Sequence, residues 1–159
     1  MSVAFTREED LESQAADVPD RPISPHPNMV TNSGLASIER QLEDARAAYA
    51  AARAAGDIST DRTAMARATR DLRYWSARRG SAQLAEPDPT PGKVQFGGTV
   101  EVERDDGRRQ VFRIVGEDEA DPAQGRISYV SPLARALAGA TVGDVVAVAG
   151  GEVEVLAVE

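Results

Sequence analysis

The periodicity of the chain changes once, across Glu86-Pro87-Asp88-Pro89-Thr90-Pro91-Gly92, and that change decides the class of fold. Prolines at alternate positions remove backbone donors and hold φ near about −65°, so neither a helix nor a central strand continues through them. The stretch predicts a stiff, extended linker over residues 87–92 between two modules of different secondary structure.

Before the linker the spacing is helical. Leu35, Ile38, Leu42, Ala45, Tyr49 and Ala52 follow a 3-4-3-4-3 pattern, which lines one narrow seam along a helix. Thr31, Asn32 and Ser33 offer caps in front of it and Gly56 offers a stop, so the first helix is predicted over about 35–55. Met65, Ala68, Leu72 and Trp75 repeat the seam, with Asp57, Ser59 or Asp61 as the cap and an end between Gly80 and Glu86. Joined by Gly56-Asp57-Ile58-Ser59-Thr60, the two make an antiparallel αα-hairpin, a coiled coil over residues 30–86.

After the linker the runs are short and β-like. Val94, Phe96, Val100 and Val102 form one, and Val111 and Ile114, with Phe112 on the opposite face, form the next. Ile127 with Val130, then Val145, Val146 and Val148, then Val153, Val155 and Val158 follow. Gly97-Gly98, Asp105-Asp106-Gly107, Gly143-Asp144 and Gly150-Gly151 separate or interrupt them. One helix breaks the order: Ser131 as cap, Pro132 at its first position, and Leu133 to Leu137 before Gly139. The predicted class is α+β in two modules, the second (residues 93–159) a mostly antiparallel sheet with one short helix.

Residues 1–29 carry 2 basic and 6 acidic side chains and include Pro19, Pro22, Pro25 and Pro27, which predicts a flexible acidic, proline-rich tail. Met29-Val30-Thr31 offers a second place at which translation could begin. The middle segment, 30–86, carries 9 basic against 7 acidic residues, and 87–159 carries 7 against 13. A net charge of −8 argues against tight, sequence-specific DNA binding through a basic surface. The absence of cysteine excludes disulfides, thiolate metal sites and thiol catalysis, and the single histidine, His26, excludes multi-histidine sites. No run is long and apolar enough for a membrane span, so a cytoplasmic monomer with no membrane partner is expected.

At Phe96-Gly97-Gly98-Thr99-Val100, Ile114-Val115-Gly116-Glu117-Asp118-Glu119-Ala120-Asp121-Pro122, Gly125-Arg126-Ile127-Ser128, Ser131-Pro132-Leu133-Ala134-Arg135-Ala136-Leu137-Ala138-Gly139 and Gly143-Asp144, the chain resembles the C-terminal domain of bacterial GreA/GreB transcription elongation factors. The match runs in order over about 93–159 and implies an FKBP-like fold there. Thr31-x-x-Gly34-Leu35 resembles the lead-in to the Gre coiled coil, and Ala52-Arg53-Ala54-Ala55-Gly56-Asp57-Ile58-Ser59 resembles its tip. The resemblance implies RNA polymerase as partner and a hairpin that enters its secondary channel. It also implies a tip whose acids help hold the Mg2+ of the polymerase active site against the RNA 3′ end. The factor would then stimulate cleavage by the polymerase, without being an enzyme or having a cofactor of its own.

Two departures from the family pattern bear on that activity. The tip pattern Gly-Asp-Leu-x-Glu-Asn reads here Gly56-Asp57-Ile58-Ser59-Thr60-Asp61, so Thr60 stands in place of the second acid and Asp61 lies one residue later. A one-residue shift turns a helical side chain by about 100°, whereas Asp57 and Asp61 at i and i+4 share a face only within a helix. The arms also run about one heptad shorter on each side, a difference in reach of about 10 Å. A non-cleaving occupant of the channel is the alternative within the family. A generic adaptor is the alternative outside it, and proline isomerisation is disfavoured by a module whose only aromatics are Phe96, Phe112 and Tyr129.

The candidate site residues form three groups. Asp57 and Asp61 are the metal-holding tip acids, although helix N-termini attract aspartate in any case. Arg62, Arg67, Arg70 and Arg73 make a basic stripe suited to an RNA backbone or the polymerase, or equally a solvated face paired with Glu39, Glu43 and Asp44. Asp118, Glu119, Asp121 and Pro122 form an acidic loop that reads either as an ordinary solvated turn or, as the resemblance implies, as the part that docks on polymerase; Ser131 and Pro132 are added to the docking group, with a contact beyond their role as cap and first helical residue.

Overall fold

The computed structural model describes residues 18–55, 60–89 and 92–159, with Thr60 and Asp61 described as backbone only. Two compact units divide it: one runs up to Pro25 and resumes over Ile38–Ser81, and the other combines His26–Ser37 with Ala82–Glu159.

The helical unit is built on α1 (Asn32–Ala55) and α2 (Thr60–Ser81), of 24 and 22 residues. The predicted seam is the buried face: Ile38, Leu42 and Ala45 on α1 and Ala68 on α2 are closed to solvent, with Met65, Leu72 and Trp75 half-buried. α1 starts earlier than the apolar pattern alone suggests. The Thr31 carbonyl accepts from the Leu35 amide at 2.9 Å and its hydroxyl accepts from the Gly34 amide at 3.0 Å, so Thr31 is the cap among the three candidates. Arg79 pairs with Glu39 at 3.1 Å, joining the two helices near the open end of the hairpin.

The second unit carries two sheets. β1 (Met29–Val30) and β2 (Gln83–Leu84) pair in parallel, with Met29 opposite Gln83 and Val30 opposite Leu84. The larger sheet contains β3 (Thr99–Arg104), β4 (Arg109–Val115), β5 (Arg126–Ser128), β6 (Val145–Val148) and β7 (Gly151–Val158) in the order β5-β4-β3-β7-β6. All neighbours are antiparallel except β4 and β5. Val100 and Val102 of β3, Phe112 and Ile114 of β4, Ile127 of β5, and Val153 and Val155 of β7 make the core. α3 (Pro132–Leu137) adds Ala134 and Leu137 to it. Each fully buried aliphatic side chain contributes about 1.5–3 kcal/mol, so this layer supplies the main stabilisation of the unit.

The α+β class and its two modules are as expected, and three details differ. The first β run is not a strand from Val94: Gly97 has φ 81°, the chain turns, and β3 opens at Thr99. Val94 remains in the core, its amide and carbonyl bonded to the Ala140 carbonyl (2.8 Å) and the Gly139 amide (2.9 Å). On β4 it is Phe112 and Ile114 that share the inner face while Val111 is exposed, because side chains two apart in a strand point the same way.

The third difference lies in residues 26–31, which the sequence divides between tail and hairpin and which group with the second unit. Asn28 is 4% exposed and its carbonyl accepts from Gln83 at 2.8 Å, and the Val30 carbonyl accepts from Ala85 at 3.0 Å. The linker, too, begins against this unit, where the Asp88 amide donates to Gln95 Oε1 at 2.9 Å.

Gly116 closes β4 against β1. A Cβ there would overlap the Met29 carbonyl oxygen, a backbone atom that cannot swing aside. Gly116→Ala is therefore expected to destabilise the second unit by about 1–3 kcal/mol, read as a lower denaturation midpoint in urea. An unchanged midpoint would show that β1 does not pack there in solution.

Candidate functional site

Beyond Gly116 the chain leaves the sheet as Glu117–Asp121, passes through a 3-10 turn (Pro122–Gln124) and returns as β5. Backbone bonds between Asp121 and Arg126 close the excursion at 2.8 and 3.0 Å, and the Asp121 carboxylate stands 3.6 Å from the Arg126 guanidinium with 45% of its side chain exposed. Pro122 is exposed and Asp118 half-buried.

Glu119 behaves differently from its acidic neighbours. Its side chain is only 9% exposed, and its carboxylate accepts from the Thr31 and Ser33 hydroxyls, each at 2.6 Å. Arg113 from β4 lies 3.6 Å from the same carboxylate and donates to Ser33 Oγ at 3.2 Å. A Cβ at Gly34 would meet Glu119 Oε2 at 2.6 Å, so a side chain there would push the carboxylate from its present position. Within the loop assigned to docking, Glu119 thus faces the residues at the start of α1, while Pro122 and about half of Asp121 face solvent. Thr31, Ser33, Gly34 and Arg113 are partners the sequence reading missed. The Thr31-x-x-Gly34 spacing was the available signal, but nothing in it pointed to a residue so far along the chain.

Ser131 and Pro132 lie on the same unit. Ser131 Oγ accepts from the Ala134 amide at 3.3 Å as the cap of α3, and Pro132 is exposed at its first position. An open groove of 540 Å³ runs beside them, lined by Ile127, Leu133, Ala147 and Val148 among others. Its lining has no aromatic side chain, so it offers no ring to stack on proline.

On the helical unit the arginines of α2 divide by exposure. Arg62, Arg67 and Arg73 are exposed, and Arg70 is half-buried with its Nε 3.1 Å from Asp71. Of the acids expected to neutralise this helix, Glu39 reaches Arg79, whereas Glu43 pairs with Arg46 on its own helix at 2.7 Å. Arg73 instead donates to Asp20 at 3.2 Å, and Arg21 stands 3.6 Å from Asp71 with its guanidinium 3.8 Å from the centre of the Tyr74 ring. Both partners come from the stretch that the sequence presents as a flexible tail.

Of the tip acids, Asp57 and the side chain of Asp61 lie outside the described residues; α2 carries Asp61 in its first turn. Among the described residues no group of three or more His, Cys, Asp or Glu is arranged to hold a metal ion. Among the described residues, too, no helix is long and apolar enough to cross a membrane.

The family model described as "Transcription elongation factor, GreA/GreB, C-term" matches residues 88–159. The chain is 40% identical over 110 residues to transcription elongation factor GreB of Neisseria meningitidis serogroup B, covering 65% of this chain and 68% of that protein. It is 35% identical over 136 residues to GreB of Yersinia pestis, covering 76% and 80%. The chain belongs to the GreA/GreB family. Membership makes it a transcription elongation factor of bacterial type that is not itself an enzyme. It is also similar to a solved structure of GreA factor homolog 1 of Thermus thermophilus, with 22% identity and a TM-score of 0.40 over 84% of this chain and 99% of that one. The assignment rests on the sequence relatives.

Glu119→Ala leaves two hydroxyls and a guanidinium without their shared acceptor and is expected to destabilise the second unit by about 1–3 kcal/mol. Asp121→Ala, an exposed pair, is expected to change it by less than about 1 kcal/mol. Urea unfolding of both variants checks the contrast, and equal effects would refute it.

Proposed function

We propose that this Gre-family factor binds bacterial RNA polymerase in the cytoplasm, with the second unit docking at the mouth of the secondary channel and the α1–α2 hairpin entering it. The observation that carries this reading is the 40% and 35% identity to proteins named transcription elongation factor GreB. On the second unit, Asp118, Asp121, Pro122, Ser131 and Pro132 are the residues assigned to docking. Acidic side chains at a rim speed encounter with a basic partner. Glu119 acts there as a positioning residue, since its carboxylate is taken up by Thr31 and Ser33.

Within the channel, Arg62, Arg67, Arg70 and Arg73 face the phosphates of the displaced RNA 3′ end, each guanidinium giving paired donors to phosphate oxygens. A 24-residue α1 reaches about 36 Å from its base at a rise of about 1.5 Å per residue. The tip acids Asp57 and Asp61 supply hard carboxylate oxygens of the kind Mg2+ takes, and a polymerase-bound Mg2+ held there would activate water for RNA hydrolysis. The reading requires no resident cofactor. Thr60, in the place of the family's second tip acid, favours a second reading in which the hairpin occupies the channel without promoting cleavage.

A backtracked elongation complex with end-labelled RNA separates these outcomes. Cleavage with the wild-type chain, lost by tenfold or more in Asp57→Ala (about 1.4 kcal/mol or more in the barrier), marks a cleavage factor. Slower cleavage by an added GreB, unaffected by Asp57→Ala and relieved by changing Asp121 and Pro122, marks an occupant. Failure to bind polymerase at all overturns both.

A further inference from the structure

Residues 18–25 group with the helical unit, and Asp20 and Arg21 within them contact α2 with charges complementary to it. Arg21 lays its guanidinium over Tyr74 at 3.8 Å, lies 5.3 Å from the Trp75 ring centre, and stands 3.6 Å from Asp71. The adjacent Asp20 accepts from Arg73 at 3.2 Å. Two neighbouring residues of opposite sign thus meet two residues of opposite sign on α2, and the cation also lies over both of two aromatic rings packed edge to face. Pro19, Pro22 and Pro25 narrow the conformations open to the free segment, which lowers the entropy lost on docking.

The face so covered has the chemistry of a single-strand site: arginines for phosphates, with Tyr74 and Trp75 as stacking surfaces for bases. Asp20 places a carboxylate where a phosphate would sit on Arg73, and Arg21 places a flat cation where a base would stack on Tyr74. Arg21 also shares Asp71 with Arg70, whose Nε lies 3.1 Å from that carboxylate.

We propose that residues 18–25 are a strap that competes in cis with single-stranded RNA for the Arg70–Trp75 face, holding the free factor in a state of lower RNA affinity. The proposal rests on the RNA-facing role of the α2 arginines given above and adds its regulation. The strap is held by partly exposed ion pairs and the cation–π contacts of Arg21, each weak in water, so a phosphate strand brought close by docking displaces it.

The test compares the full-length wild type with the Asp20→Ala/Arg21→Ala double variant, which removes one charge of each sign and leaves the net charge unchanged. Binding of a labelled single-stranded RNA of about ten nucleotides is followed by fluorescence anisotropy at low salt. The double variant is expected to bind about three- to tenfold more tightly, and adding Arg73→Ala is expected to abolish the gain. Trp75 is the chain's one tryptophan, so its emission reads the strap without RNA. It is expected to shift in the double variant, and wild-type emission is expected to move the same way as RNA is added. Equal RNA affinities with a shifted emission overturn the competition, and unchanged emission overturns the strap itself. RNA binding to neither protein overturns the proposal together with the RNA-facing role of α2, while polymerase docking is read separately from the elongation-complex assay. Circular dichroism checks that each variant keeps the helical content of the wild type.

Discussion

One carboxylate holds together residues that lie far apart in the chain. Glu119 accepts from Thr31 and Ser33, at separations of 88 and 86 residues, and packs against the missing side chain of Gly34. Thr31 in turn caps α1, so the bond that starts the helix and the bond that ties its first residues to the sheet unit share a single hydroxyl. The Met29 carbonyl against Gly116 and the β1–β2 ladder continue the same junction. Removing the Thr31 hydroxyl loosens the cap and the Glu119 tie together, because hydrogen bonds that share an atom are not independent.

Much of the fold was legible in the residues. The seam Ile38, Leu42 and Ala45 is buried as its spacing required, and Ser131-Pro132 starts α3 for the reason its chemistry gave. β1 and β2 were not legible, because two-residue strands have no period to detect and pair across 53 intervening positions. The face of β4 was misread where Val111 and Ile114 were grouped at a spacing of three, which a strand does not keep. The break at Gly97, where φ is positive, was signalled by Gly97-Gly98, although the apolar spacing itself ran across it.

The candidate site was legible as composition and illegible as geometry. Glu117 to Asp121 read as one acidic group, yet burial separates Glu119 from Asp121, and only tertiary contacts make that separation. The arginines of α2 read as either an RNA face or a solvated one, and Asp20 and Arg21 belong to neither picture. A proline-rich acidic stretch has the composition of a tail, but a guanidinium over Tyr74 and a carboxylate on Arg73 give residues 18–25 a place to rest. Pairwise complementarity of this kind carries no periodic signal, so composition does not report it.

The order β5-β4-β3-β7-β6 puts the two shortest strands of the larger sheet, of three and four residues, on the outside and the eight-residue β7 within. Exposed strand edges are templates on which a second chain can add itself, and the length of the edge sets how well it does so. β6 is bracketed by Gly143 and Gly150, both at positive φ, so the chain bends away from the strand direction soon after pairing begins. The β-rich half of this protein is thereby built to resist sheet extension by its own copies, a protection against aggregation that comes from strand order and needs no added charge.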